Sequence, residues 1–307
     1  MSHFADNPAA WPELPLKGWQ DTYATLHMWT QIVGKVRLAL APPVNHFWQV
    51  PLYVCETGLT TSPIPCHSGV FEIRFDFAHH NLVIQTSAGP SRVIALEPRS
   101  VADFYREFIS TLSSLGIEPK IWTMPVEVPH PIPFEKDTQH ASYDRDSVNR
   151  FWRALLVIDQ VFQEFRSRFV GKNSPVHFFW GSFDLAVTRF SGKRAPEREG
   201  ADRITREAYS HEVISAGWWP GAGEVQDAAF YCYAAPEPTG LSESRILPKQ
   251  AYYHPNLKEF LLMYDDVRKA PSPRAALLDF MQSTYEAAAN LGKWDRDALE
   301  RSTQEAA

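Results

Sequence analysis

The residues best suited to chemistry fall within one stretch of the chain, SPVHFFWGSFDLAVTRFSGKRAP, residues 174–196. Asp184 stands in an apolar segment that is typical of a buried strand, and a run rich in arginine and lysine follows it, from Arg189 to Arg206. A buried carboxylate must be paired, hydrogen-bonded or protonated, because the loss of its hydration costs several kcal/mol. Asp184 is therefore either the structural partner of an arginine or a general base or ligand anchor whose pKa is set by burial.

Two histidines and a glutamate supply further acid–base groups in this half of the chain. His177 opens the same apolar segment, on the face opposite Asp184 if the segment is one strand without a bulge at Gly181. His211 and Glu212 are adjacent in AYSHEVIS, so in an extended segment their side chains point opposite ways. A structural role is the alternative for each, but His177, Asp184, His211 and Glu212 are the predicted catalytic residues.

The predicted ligand-binding residues are one arginine and three tryptophans. Arg189 is closest to the end of the predicted strand, where it would hold a carboxylate or phosphate through two hydrogen bonds while the rest of the basic run forms a lid. Acidic residues interleave that run, so a solvated loop is the alternative. In SAGWWPG, glycines flank Trp218 and Trp219, which indicates a shaped loop. With Trp180, these two tryptophans are predicted to line a pocket.

No cofactor can be assigned from the sequence. The chain contains no GxGxxG, no phosphate-binding loop, no HExxH, no CxxC pair and no GxSxG. Histidines of the first half are available as additional metal ligands, but their spacing is not diagnostic of a metal site, so no metal ligand is predicted. These histidines are His46, His67, His79 and His80.

The composition limits the classes of function. The chain has 307 residues, 44% of them apolar and 13% aromatic, which is ample for a large core. A net charge of −6 argues against a nucleic-acid-binding surface, and no apolar run is long enough for a membrane span. Three cysteines without paired spacing favour free thiols, and the N-terminal residues do not resemble a secretory signal. We therefore expect a cytoplasmic protein whose oligomeric state the sequence does not reveal.

Periodic patterns predict an α+β protein. Apolar residues at three- and four-residue spacing predict helices over residues 21–40 and 146–169, and further helices are predicted after Ser100 and from Pro273. Clean alternation predicts a hairpin over residues 69–87. Other strands are predicted over residues 46–59, 91–98, 120–128, 175–190 and 228–238.

Both halves of the chain run helix, three or four strands, helix, with the polar residues 134–146 as the join. We therefore expect a first α+β half over residues 1–133 and a second over residues 147–307, or one continuous domain. A weak similarity between residues 46–65 and 177–196 raises an internal duplication as an alternative. In that case two antiparallel sheet units, each covered by helices, would meet around a pseudo-twofold axis.

Several long motifs resemble a mainly bacterial family of unknown function, family 5996. They are WQVPLYVCETGLTTSPIP, SPVHFFWGSFDLAVTRFSGKRAP, REAYSHEVISAGWWPG and FYCYAAPEP. The resemblance covers nearly the whole chain and implies one cytosolic unit, without an activity, cofactor or catalytic residue.

Three functions are compatible with these features. The first is an enzyme that acts on a small anionic molecule in a tryptophan-walled pocket, with histidine and aspartate as acid–base groups. The second is a non-catalytic protein that binds a small molecule, and the third is a structural or interaction protein. Because ionisable residues interrupt otherwise apolar segments, we favour the enzyme.

Overall fold

The computed structural model describes residues 4–301, in which helices combine with two antiparallel sheets of six strands each. This arrangement confirms the predicted α+β class. The helices are α1 (Gln20–Leu40), α2 (Val101–Ser114), α3 (Arg145–Ser167), α4 (Arg203–Ala208), α5 (Tyr264–Arg268), α6 (Pro273–Leu291) and α7 (Arg296–Leu299). The strands are β1 (Tyr53–Cys55), β2 (Gly58–Thr60), β3 (Ile64–Cys66), β4 (Gly69–Asp76), β5 (Asn81–Thr86), β6 (Ser91–Ala95), β7 (His177–Phe179), β8 (Asp184–Arg194), β9 (His211–Trp219), β10 (Ala229–Ala235), β11 (Tyr252–His254) and β12 (Glu259–Met263).

The first sheet is built on the predicted hairpin. Its strand order is β1-β2-β4-β5-β6, and β3 also pairs with β4. Phe71, Ile73 and Phe75 are buried on one face of β4, while the residues between them are partly exposed, as the alternation predicts. α2 begins as predicted, because the Ser100 hydroxyl accepts a hydrogen bond from the backbone N–H of Asp103 at 3.1 Å.

The second sheet has the strand order β11-β12-β10-β9-β8-β7, and α3 and α6 cover one of its faces. On that face Trp218 of β9 stacks on Phe151 of α3, with ring centroids 6.1 Å apart. The opposite side of this sheet is called the outer face below. Its residues, identified from the strand pairing, include His177, Phe179, Asp184, Ala186, Thr188, Ser215, Gly217, Trp219, Tyr231, Tyr233, Leu261 and Glu259.

A backbone bridge connects the two sheets. Leu52, which precedes β1, and Phe178 of β7 exchange two backbone hydrogen bonds of 2.9 and 2.8 Å. One connected cluster of buried side chains also contains residues of both halves, including Trp29 and Phe104 from the first and Phe151 and Trp218 from the second. The strand orders of the two sheets differ, so the internal duplication stays a prediction.

Two predicted strands are wrong in whole or in part. Residues 120–128 form no strand. The backbone of Val126 is hydrogen-bonded to the Gln31 side chain instead of to a neighbouring strand. Gln31 donates to the Val126 carbonyl oxygen at 2.8 Å and accepts from the Val126 N–H at 2.9 Å. The predicted strand over residues 46–59 begins only at Tyr53, after a short 3-10 turn over Asn45–Phe47.

Two further corrections concern the second sheet. SAGWW was expected to be a shaped loop, but it lies inside β9, where alternation sends Trp218 and Trp219 to opposite faces. The predicted strand over residues 175–190 is two strands, β7 and β8, separated by a turn. Strands β11 and β12 were not predicted.

The N-terminal segment, residues 4–19, packs against the C-terminal half of the chain. The Trp11 ring lies 6.1 Å from that of Tyr264 in α5, and the Tyr264 hydroxyl donates to the Pro12 carbonyl at 3.0 Å. Arg268 pairs with Glu13 at 2.6 Å. These contacts bring the two ends of the described chain together. Within residues 4–301, no helix combines the length and the apolar character needed to cross a lipid bilayer.

α1 is buried along most of its length, and it approaches the second sheet closely at Gly34. A Cβ atom at Gly34 would lie 2.2 Å from the indole of Trp180. The indole cannot easily move away, because its Nε1 donates to the Val50 carbonyl at 2.9 Å and the residue is only 6% exposed. Glycine is therefore required here for close packing rather than for backbone freedom.

We expect Gly34→Ala to lower the free energy of unfolding by about 1 kcal/mol. Overpacking costs about 1–3 kcal/mol, and the gain in helix propensity returns about 1 kcal/mol. Urea unfolding of the purified variant measures the change. Gly18→Ala is the control, since a Cβ there meets nothing closer than 3.8 Å. Equal stability of the two variants would contradict this account.

Candidate functional site

The turn Trp180–Phe183 between β7 and β8 positions the candidate site. Phe183 has a left-handed backbone conformation, with φ of 57°, and is fully buried, its ring centroid 5.2 Å from that of Phe151. The Gly181 carbonyl accepts a hydrogen bond from His27 Nε2 at 2.8 Å. Contacts with the core and with α1 therefore fix this turn.

The turn also decides which side chains share a face. Because β7 and β8 form a hairpin, Phe179 pairs with Asp184 and His177 pairs with Ala186, and residues paired in this way point to the same side. The expectation that His177 and Asp184 lie on opposite faces is therefore wrong. They are diagonal neighbours on the outer face, at a separation of roughly 7–8 Å.

Asp184 is buried and hydrogen-bonded by hydroxyl groups. It is 7% exposed, and Ser182 Oγ and the Tyr231 hydroxyl each donate to one of its carboxylate oxygens. No lysine, arginine or histidine in residues 4–301 forms an ion pair with Asp184. The buried aspartate–arginine pair considered from the sequence is absent from this part of the chain.

Three tyrosines continue from Asp184 across the outer face, connected by hydrogen bonds at either end and by ring stacking in the middle. The Tyr231 ring lies across Gly217 of the neighbouring strand, where a Cβ would be 2.2 Å from the ring, and this allows its hydroxyl to reach Asp184. The Tyr231 and Tyr233 rings are stacked with centroids 6.0 Å apart. The Tyr233 and Tyr209 hydroxyls are hydrogen-bonded at 2.8 Å.

Burial shifts the protonation equilibria of these groups. It raises the pKa of Asp184, and burial together with the Asp184 charge raises the pKa of Tyr231, so that Tyr231 remains a hydrogen-bond donor. Burial and then the Asp184 charge raise the pKa of half-buried Glu259 to about 7. The outer face therefore carries a carboxyl group that can gain or lose a proton near neutral pH.

His177 is almost fully enclosed at the edge of the outer face. It is 1% exposed, with the rings of Trp48, Tyr53 and Phe179 at 5.8, 5.5 and 5.5 Å. Burial, and then the positive charges of two arginines, lower its pKa to about 3. It is therefore a neutral imidazole at physiological pH.

His211 and Glu212 lie far from Asp184. His211 pairs with Arg194 at the other end of β8, which places it roughly 30 Å along the strand. Its ring is 5.6 Å from that of His46, and its pKa is lowered by burial and by nearby cations. Glu212 accepts a hydrogen bond from Ser191 at 2.8 Å.

Arg189 faces the helix-covered side of the second sheet, away from Asp184. It is 1% exposed, its Nη2 donates to the Phe165 carbonyl, and its guanidinium lies 3.5 Å from the Phe165 ring centroid and 4.3 Å from that of Tyr285. Two hydrophobic helices thus enclose this cation, and it does not contact the other predicted site residues.

The three tryptophans occupy separate environments. Trp180 packs on α1, Trp218 lies in the main core, and Trp219 contacts the Tyr231 ring at 5.5 Å on the outer face. Of the predicted ligand-binding residues, Trp219 is the one that the structure places next to the Asp184 network.

Sequence reasoning missed Tyr231, Tyr233 and Glu259. The i, i+2 spacing of the two tyrosines in FYCY indicates that they share a strand face, so this signal was available. Glu259 gives no such signal, because its proximity to Asp184 depends on strand pairing. In the part of the chain that the structure describes, no three His, Cys, Asp or Glu side chains are grouped so that they could hold a metal ion.

Comparison with known proteins gives a family and no activity. A model of a family of unknown function (DUF5996) matches residues 11–301, so the chain belongs to this family. No curated protein and no solved structure matches the chain. This match confirms the resemblance noted from the sequence motifs. Because the family has no known function, any activity has to be inferred from the residues of the outer face.

The raised pKa of Glu259 predicts a characteristic pH dependence of stability. A carboxyl group with a pKa of about 7 in the folded protein, against an ordinary 4.5, contributes stability that is fully present below pH 4.5 and is lost as the pH rises through 7. We therefore expect Glu259→Gln to gain stability relative to the wild type over this range. The gain is on the order of 1–3 kcal/mol after allowance for partial exposure.

Urea unfolding at a series of pH values tests this expectation. Glu118→Gln, at an exposed position, is the control and is expected to follow the wild-type profile. A constant difference between Glu259→Gln and the wild type from pH 4.5 to 8 would show that Glu259 has an ordinary pKa.

Proposed function

We propose that this member of the DUF5996 family is an enzyme that transfers a proton to or from a small anionic molecule bound at the outer face of the second sheet. The observation that carries the proposal is the buried carboxyl of Asp184, which has hydroxyl donors but no cationic partner among residues 4–301. Glu259, whose pKa is near 7, lies on the same outer face, on β12, and the Asp184 charge acts on it.

The energetic cost of this arrangement supports a functional role. A buried carboxyl group without a counter-ion either loses several kcal/mol of hydration free energy or becomes protonated. An apolar residue would fill this position in the sheet at no such cost. Groups with strongly shifted pKa values tend to cluster where proton transfer takes place.

The proposed roles follow from exposure and protonation. Glu259 is half-buried, so a substrate can reach it, and a pKa near the working pH is the most effective for a general acid or base. Asp184 orients the Tyr231 hydroxyl, and its charge adds to the effect of burial, which is the larger cause of the raised pKa of Glu259. Trp219 and Phe179 supply apolar surface next to this network.

The proposed setting is the cytoplasm, and the proposed partner is a small molecule rather than a nucleic acid. Cys55, Cys66 and Cys232 are unpaired, which is the usual state in a reducing compartment. The net charge of −6 opposes binding to phosphate backbones.

A metabolite-conversion experiment tests the proposal. The purified full chain is incubated with an extract of small metabolites, and mass spectrometry records which compounds are consumed and formed. We expect at least one conversion by the wild type, slowed roughly 100-fold or more in Glu259→Gln because a general acid–base group is lost. Asp184→Asn is expected to slow the same conversion.

Asp279→Asn, an exposed position on α6, is the matched control and is expected to retain the full rate. If a compound binds equally to the wild type and to Glu259→Gln and neither converts it, the protein is a binding protein and not an enzyme. No conversion and no bound compound would favour a structural or interaction protein.

A further inference from the structure

Two buried nitrogen atoms without hydrogen-bond partners lie beside the ring of Tyr53. Arg37 Nη1 and His177 Nε2 have no hydrogen-bond partner within 3.5 Å in residues 4–301, although the two residues are only 8% and 1% exposed. Burial lowers the pKa of Arg37, and the Tyr53 side chain, which interacts with the guanidinium, partly opposes this effect. The Arg37 guanidinium lies 5.1 Å from the Tyr53 ring centroid, and the His177 ring centroid lies 5.5 Å from it. Buried polar atoms nearly always have partners. Other buried side-chain atoms of this chain also lack one, but these two belong to basic side chains that approach the same aromatic ring, which makes them candidate donors to a ligand.

Positive charge is unbalanced at this place. The charges of Arg37 and Arg166 both act on His177, and no carboxylate in the described part of the chain pairs with Arg37 or His177. A buried guanidinium without an anion is costly. The missing group is therefore expected to be negatively charged.

A conformationally unusual segment covers the same place. His46 and Phe47 are consecutive non-glycine residues with φ of 60° and 58°, a conformation that costs on the order of 1–3 kcal/mol per residue and is concentrated in ligand clamps. Lys172 Nζ donates to His46 Nε2 at 2.6 Å and so holds the segment. The segment places half-buried Trp48 against the His177 ring, at 5.8 Å.

A cavity adjoins the residues that hold Arg37. Arg37 Nε donates to the backbone carbonyl of Gln49 at 2.6 Å, and Gln49 also lines a cavity of about 210 Å³. Arg37 and His177 do not line this cavity themselves. Its other lining residues are Leu38, Ala41, Pro43, Val44 and Phe47, together with Arg203 and Glu207 of α4.

We infer that Arg37 and His177 form a site for a small oxyanion, a carboxylate or phosphate group, with Tyr53 as its wall and Trp48 as its cover. Arg37 Nη1 and the Nε2–H tautomer of His177 donate to the anion. The inference goes beyond the proposed function. His177 lies on β7 and Glu259 on β12, four strands away in the sheet and therefore roughly 20 Å apart, so the anion bound here is not the group that exchanges a proton with Glu259. The site lies on the same sheet face as Asp184, and its cation is Arg37 rather than the enclosed Arg189.

Anion binding by the full chain tests the inference. Isothermal titration with inorganic phosphate and with acetate, at constant ionic strength set by chloride, is expected to show saturable binding of at least one of them to the wild type. Arg37→Met and His177→Gln are expected to weaken that binding roughly 10- to 100-fold, as for loss of a hydrogen bond to a charged group. Arg106→Met, at an exposed arginine of α2, is the control and should bind as the wild type does.

Absence of saturable binding by the wild type, or unchanged affinity in a folded His177→Gln, would overturn the inference. If Arg37→Met does not fold, Arg37→Lys is tested in its place. In addition, ¹⁵N NMR of the wild type should show a shift of the His177 Nε2 resonance when the anion is added. Glu259→Gln separates the two proposals, since it should abolish turnover and leave anion binding intact. Binding without any turnover would retain the anion site and reject the enzyme.

Discussion

The turn at Trp180–Phe183 is the constraint on which the rest of the molecule depends. Because the chain reverses there, β7 and β8 become neighbours, and every later strand of the second sheet takes its register from β8. Three contacts fix the turn. Phe183 is buried in the core, the Gly181 carbonyl accepts a hydrogen bond from His27, and the Trp180 indole packs against Gly34. A shift of one residue would exchange the two faces of the sheet.

Although α1 is largely buried, several of its polar side chains form hydrogen bonds or ring contacts with other parts of the chain. Gln31 binds both backbone groups of Val126 and so supports a proline-rich segment that has no strand to pair with. His27 holds the turn, and Arg37 reaches the Tyr53 ring. The two halves of the molecule thus share a central helix whose hydrogen-bonding groups satisfy irregular backbone on either side of it.

Local patterns predicted the fold well and the site poorly, for a physical reason. Helix periodicity, the Ser100 cap and the β4–β5 hairpin depend on residues close in sequence, and all are confirmed. The neighbours of Asp184 depend on strand pairing between distant segments, so Tyr231 and Glu259 could not be linked to it beforehand. Arg189 was predicted to bind a ligand because it is the residue of the basic run closest to the end of the predicted strand, whereas aromatic rings of two helices surround it in the structure.

The packing of residues 4–19 on the C-terminal helices has a consequence for biosynthesis. Trp11 is synthesised well before Tyr264, its ring partner, because most of the residues of the fold lie between them in the sequence. The backbone groups of Leu52 likewise cannot form their hydrogen bonds until Phe178 has been synthesised. The nascent chain therefore carries exposed aromatic surface and an open sheet edge until these later segments have been made. Contacts between segments so distant in sequence are expected to form slowly and to leave the early segments prone to aggregation.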